Sequence, residues 1–262
     1  MKVQDKEKTR QKYVSPYRKR FANALLLQLE PVLDAIRTSY NPQYVLDEVE
    51  SLIKIDPLLD VYEKCYPEVG TEAAMLNIDQ INRDLRSQKN YKRKDEIEDL
   101  WARYLRDYID TTGMQRIVSV TNTSRSLALQ AIERAIREAL ENGQSPYEAQ
   151  RQIEESVLQE WRRTNVFRAD RIARTEVYTA YSLADFQSAQ SYQIPLLKEW
   201  VHGFIGKDDR PGHIALSGVQ TGLNDRFQNP ATGASLMHPH DFNGAASEVI
   251  NCKCSMIYNE RR

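Results

Sequence analysis

The sequence changes character at Pro195, and this boundary constrains the fold more than any single motif does. Before it, apolar residues recur three and four positions apart over long stretches, the spacing of amphipathic helices. After it, short strand-like runs at 196–201 and 248–258 enclose roughly 45 residues rich in Gly, Pro, Asn and Asp. Such a chain is expected to be α+β, with a predominantly helical N-terminal region and a small C-terminal mixed α/β module whose few strands pack on a long helix.

Within the helical part, Phe21, Leu25, Leu29, Val32, Leu33 and Ile36 predict a helix that Pro31 should kink or restart. Asp56-Pro57 reads as an N-cap followed by proline at the first helical position, with Leu58, Leu59 and Val61 turned inward. Ile97, Leu100, Trp101, Tyr104, Leu105 and Tyr108 place an aromatic stripe on a helix over 95–109, after a basic, solvated linker around Tyr91. A further helix from about Ser124 to Glu141 should stop at Gly143, where Ser145-Pro146-Tyr147-Glu148 combines a capping box with an early proline. The last helix is expected over about 165–191, its alanines allowing close packing.

A 262-residue chain with 41% hydrophobic and 28% charged residues has the composition of a globular protein, which excludes wholesale disorder. No apolar run approaches the roughly 20 residues needed to cross a bilayer, and the polar start lacks the apolar core of a signal peptide. No membrane partner is therefore expected, and synthesis should take place in a cytoplasm. A net charge of -1 gives no overall field towards nucleic acid, so any such contact must be local. The local candidate is the basic segment 1–20, where Lys2, Lys6, Lys8, Arg10, Lys12, Arg18, Lys19 and Arg20 face only Asp5 and Glu7. It is expected to be a flexible arm, either merely solvated or contacting DNA or a partner protein through Lys12, Arg18, Lys19 and Arg20.

All four histidines, His202, His213, His238 and His240, fall in the last quarter together with Cys252 and Cys254. On a strand the two cysteines would share a face, so both sulfurs could bind one metal, with His213 and one more residue completing a tetrahedron. The Cys-x-Cys pair is a weaker zinc signature than paired Cys-x-x-Cys knuckles, and structural thiols or a disulfide are the other readings. A metal-dependent nuclease would draw on Asp208, Asp209, His213, His238, His240 and Asp241 to activate water beside a phosphodiester. No His-Glu-x-x-His, Gly-x-Ser-x-Gly or phosphate-binding glycine loop stands in the chain, and no catalytic residue is expected.

The run from Phe167 to Glu176 contains Arg171 and Arg174 three positions apart on one helix face, with Glu176 unable to pair with Arg174 within the helix. Arg171, Arg174 and Glu176 are expected to form an ion-pair hub that docks the helix, with an arginine face for phosphate or a partner as the alternative.

Arg171-Ile-Ala-Arg-Thr-Glu176, Lys198-Glu-Trp200, Arg210-Pro-Gly-His213, Leu216-Ser-Gly218 and Asn251-Cys-Lys-Cys254, in that order, resemble the Mu protein F family of phage minor head proteins. The resemblance covers about 166–257. Ser182 stands where the family usually has asparagine, Lys253 where it has arginine, and Pro239-His240-Asp241 where relatives have Pro-Gly-Asp. His213, Asp241, Cys252 and Cys254 sit at positions the family pattern shares, which makes them the metal set that the resemblance favours, with either zinc or no cofactor.

The chain is expected to divide into the arm 1–20, a helical docking region 21–160 and, as the resemblance implies, a head-morphogenesis module 161–262. It also implies a virion protein inside the capsid near the portal vertex, made in the host bacterial cytoplasm. Its expected partners are the portal protein, the major capsid or scaffolding protein, and packaged double-stranded DNA. The alternative function is a metal-dependent nuclease or hydrolase acting on phage DNA.

Overall fold

A computed structural model describes residues 3–39, 41–84, 101, 104, 107–145, 147–192, 195–203, 206 and 209–260. The helices are α1 (Val3–Thr38), α2 (Val45–Leu52), α3 (Asp56–Asp84), α4 (Met114–Glu141) and α5 (Gln150–Gln190), with a 3-10 turn at Pro42–Tyr44 and a π-turn at Ile109–Gly113. The C-terminal part adds β1 (Leu196–Val201), α6 (Pro211–Leu216), β2 (Gln220–Gly222), β3 (Phe227–Gln228), β4 (Ser235–Leu236), α7 (Ala246–Val249) and β5 (Ser255–Glu260). The α+β class expected from the change at Pro195 is the class observed. Most of the helix expected over 95–109, and the basic stretch before it, lie outside the described residues.

The residues group into two compact units, each built from non-consecutive stretches: 1–17, 64–108 and 173–262 in one, 18–63 and 109–172 in the other. The second unit is all helical. Its core joins Leu29, Val32, Leu33 and Ile36 of α1, Val45 and Val49 of α2, Ile132 and Ile136 of α4, and Ile153, Val157 and Trp161 of α5. Helix ends are satisfied locally. Gln150 donates to the carbonyls of Ile36 and Ser39 at the end of α1, where no intrahelical partner exists. Ser145 and Glu148 form the reciprocal capping box before α5, each backbone N–H bonded to the other's side chain.

Two expectations need correction. α1 is one helix from Val3 onward, so residues 3–20 are helical turns rather than a flexible arm. Lys6 and Arg10 are buried and continue, at helical spacing, the stripe of Tyr13, Val14, Tyr17 and Phe21. α1 also runs through Pro31 without restarting. Proline frees the carbonyl four residues back, and at Pro16, Pro31 and Pro67 the residues so affected are Lys12, Leu27 and Glu63, all exposed. Water can bond a freed carbonyl there, so the helix tolerates each proline.

In the first unit, β1 lies at the centre of an antiparallel sheet of order β2-β1-β5, with Trp200 opposite Met256 and Lys198 opposite Tyr258. β3 and β4 form a separate two-stranded ribbon. Phe186 of α5, Trp200, Leu216, Phe227, Leu236, Cys252, Cys254 and Met256 make a small core beneath these strands. The run 248–258, expected as a single strand, is divided. Val249 ends α7, Asn251 takes φ 58°, and pairing resumes only at Ser255. Asparagine is among the few residues that adopt this left-handed conformation at modest cost.

Candidate functional site

Three side chains from two separate segments meet in the C-terminal core. His213 comes from α6, which Pro211 opens at its first position; Cys252 and Cys254 come from the irregular turn between α7 and β5. The cysteines are therefore brought together by a turn, not by the two-residue repeat of a strand. All three side chains are buried, at 2%, 1% and 2% exposure. His213 Nδ1 stands 3.6 Å from Cys252 Sγ and 3.6 Å from Cys254 Sγ. Among the described residues, these three have donor atoms lying within 4.8 Å of one another, a set able to hold a metal ion.

The other face of the imidazole is equally defined. His213 Nε2 lies 2.7 Å from Glu248 Oε2, and the same oxygen accepts from Asn229 Nδ2 at 2.9 Å. Glu248 lies on α7, where a single turn directs it at His213. Gly212 makes room for this bond. A Cβ at position 212 would stand 1.8 Å from Asn229 Oδ1, so only glycine lets the asparagine approach. Gly203 plays the matching part beside the cysteines, because a Cβ there would meet the Lys253 carbonyl at 2.1 Å.

Amides surround the sulfurs. The Cys254 N–H donates to Cys252 Sγ at 3.4 Å, and the Gly203 N–H donates to Cys254 Sγ. Cys254 is pulled down to about 4 by a hydrogen bond from Cys252, with His213 and the Gly203 amide adding to it. Cys252 moves up, because burial disfavours a second thiolate and its own bond to Cys254 opposes ionisation. Burial opposes charge on His213, but Cys254 and Glu248 outweigh it and raise its pKa.

α1 supports the cysteine turn from outside. Arg10 donates to the carbonyl of Cys254 at 2.9 Å and to that of Lys253 at 3.4 Å, while its guanidinium covers the Tyr178 ring at 4.4 Å. Lys6 donates to the Met256 carbonyl at 2.8 Å and pairs with Asp185 at 2.6 Å. Burial lowers the Lys6 pKa and raises that of Asp185, so each ion depends on the other.

The remaining expected site residues lie elsewhere. Asp241 stands apart from the three donors: its carboxylate accepts from the Met237 and Asn243 amides at 2.8 and 3.0 Å and from Arg226 at 3.3 Å, which organises its own loop. His238 Nδ1 donates to the Pro239 carbonyl and its ring packs on Phe186, and His240 packs on Tyr178 at φ 62°. That conformation suits glycine, in keeping with the Pro-Gly-Asp pattern of relatives. Asp209 lies 3.5 Å from His202, and Asp208 lies outside the described residues. Glu176 is buried and accepts from Tyr66 Oη at 2.7 Å, and Tyr66 stacks on Tyr108. Arg171 is exposed and Arg174 half-buried. Lys12 is exposed and pairs with Glu72, and Arg18, Lys19 and Arg20 are exposed along α1.

Sequence reasoning missed Glu248, Asn229, Lys6 and Arg10. Glu248 was hidden by reading its segment as a strand, which would put it on the cysteines' face but about 13 Å along the chain from Cys252. The signal for Lys6 and Arg10 was present: they sit four apart and in phase with Tyr13 and Tyr17.

Residues 130–257 match the family model of Phage Mu protein F like proteins. The uncharacterized protein YqbB of Bacillus subtilis strain 168 is 30% identical over 126 residues, covering 48% of this chain. The chain matches 40% of that relative's length. No solved structure matches the chain. The matched segment begins within α4, ends within β5 and includes His213, Glu248, Cys252 and Cys254.

Proposed function

We propose, from the match of residues 130–257 to the Phage Mu protein F like family, that the chain is a minor head protein of a tailed bacteriophage, acting in capsid assembly rather than catalysis. The observation that carries this reading is that the family segment contains a polar cluster that is closed: His213, Cys252 and Cys254 are at most 2% exposed. A nuclease centre must admit a phosphodiester and a water and usually offers carboxylates to a metal. Here Asp241 accepts from loop amides and Asp209 faces His202 instead.

In this reading the protein enters the procapsid in few copies beside the portal protein and the major capsid or scaffolding protein. Arg18, Lys19 and Arg20 are exposed together and form its contact with packaged double-stranded DNA. No helix among the described residues is long and apolar enough to cross a membrane.

The test is the protein's location. Purified procapsids and virions are expected to contain the chain at low copy number, by quantitative mass spectrometry, and particles wholly lacking it would sink the proposal. Incubation of purified protein with duplex DNA and divalent ions separates the enzyme alternative, and strand cleavage that disappears in His213→Ala would favour it.

A further inference from the structure

Independently of any role in the virion, we infer that His213 Nδ1, Cys252 Sγ and Cys254 Sγ are three ligands of one tetrahedral zinc ion, and that Glu248 holds the histidine in its ligating orientation. The distances carry the argument. With Zn–S bonds of about 2.3 Å, Zn–N bonds of about 2.0–2.1 Å and a tetrahedral angle, the nitrogen and each sulfur should stand about 3.5–3.6 Å apart. Both observed separations are 3.6 Å. One ring nitrogen has one proton or one lone pair and cannot direct it at two sulfurs equally. An ion between the three atoms satisfies all of them.

The tautomer agrees. Glu248 Oε2 accepts from Asn229 as well as facing His213 Nε2, so the Nε2 proton is the one donated to the carboxylate. That leaves the Nδ1 lone pair directed at the sulfurs, the orientation a ligating imidazole needs. A carboxylate on the outer nitrogen of a ligating histidine is the usual supporting contact in zinc sites, and it fixes the ring. The amides of Cys254 and Gly203 directed at the sulfurs stabilise thiolates in the same way. Two sulfurs and one imidazole are a soft, tetrahedral donor set, which selects zinc over magnesium, calcium or manganese.

The site also makes structural sense. The three donors join α6 to the turn before β5, across 39 and 41 residues of chain in which regular structure is sparse. Burial closes the centre to substrates. One further nitrogen or oxygen ligand completes the tetrahedron, and the ion ties the module together without performing chemistry.

The experiment is elemental analysis of the full chain purified without chelator, followed by cobalt replacement. One zinc per chain is expected in the wild type and in Cys65→Ala, with zinc lost in His213→Ala and in the Cys252→Ala/Cys254→Ala double variant. Because those variants risk misfolding, wild-type protein stripped of metal and given Co2+ supplies the second reading. It should develop sulfur-to-cobalt charge-transfer bands and the intense visible bands of tetrahedral cobalt. Glu248→Gln should keep its helical circular dichroism and bind zinc about 10–100-fold more weakly. X-ray absorption should show two sulfur neighbours at about 2.3 Å. No zinc in the wild type together with no cobalt spectrum would overturn the assignment. So would copper or iron in place of zinc, or zinc retained undiminished by both ligand variants.

Discussion

The helical unit of 18–63 and 109–172 and the unit of 1–17, 64–108 and 173–262, which carries the C-terminal module, are held together by different physics. The first buries a broad aliphatic cluster drawn from four helices, in which the buried Gln28 and Ser124 are bonded to each other. The module has a smaller apolar core, around which His213, Glu248, Asn229, Lys198 and Asp241 are buried and paired. Stability spread over area responds gradually to substitution, because each methylene contributes a little. Stability concentrated in pairings fails abruptly, because removal of one partner strands the other.

The sharpest way to break this contrast is Asp185→Ala, which leaves the buried Lys6 ammonium with the Met256 carbonyl and the Tyr258 ring but no counter-ion. A loss of about 3–5 kcal/mol is expected in urea unfolding. The double variant Lys6→Met/Asp185→Leu should recover most of it; if the single variant costs under about 1 kcal/mol, the pairing account of this unit is wrong.

Lys198 sharpens the contrast through pH. Its ammonium donates to the Met237 carbonyl and lies over the Phe186 and Phe227 rings, 4.9 and 5.3 Å from their centroids. Burial lowers its pKa to about 8, with Asp225 and Asp241 opposing and Arg226 adding to the shift. Below pH 8 both the folded and the unfolded chain carry the proton, so this group adds no slope. Between about 8 and the unfolded value near 10.4 the unfolded chain binds the proton more tightly, so its contribution to stability rises with pH, by about 2–3 kcal/mol in all. Lys198→Met should remove that rise from unfolding curves taken at pH 7.5, 9 and 10, and a rise unchanged in the variant would refute the assignment.

The smallest effect is expected in the helical unit. Ile132 is fully buried among aliphatic neighbours, and Ile132→Val should cost about 0.5–1.5 kcal/mol with unchanged helical content. A collapse of the unit on loss of one methylene would show that it, too, depends on a few critical contacts.

The same contrast decides what could be read in advance. The helices, the capping box at Ser145 and the strand from Leu196 follow local rules of period and end chemistry, and the structure has them. α5 begins well before Asn165 because charged residues on its outer face dilute the apolar period without breaking the helix. The histidine and cysteines were identifiable by type and clustering, but their geometry depends on Gly212, Asn229 and the short α7, which unite residues far apart in sequence. Lys6 and Arg10 illustrate the converse. A basic run reads as solvent-facing by composition, whereas helical phase places two of its members beneath β5 and the cysteine turn.

The burial of every thiol has a further consequence. Cys65, Cys252 and Cys254 are at most 2% exposed, so a maleimide or disulfide reagent can reach none of them while the native packing holds. Alkylation must therefore wait for an opening of the chain around each sulfur, and its rate reports how often that opening occurs. Cys65 times α3 and the other two time the turn before β5, so the molecule carries two internal clocks for its local openings.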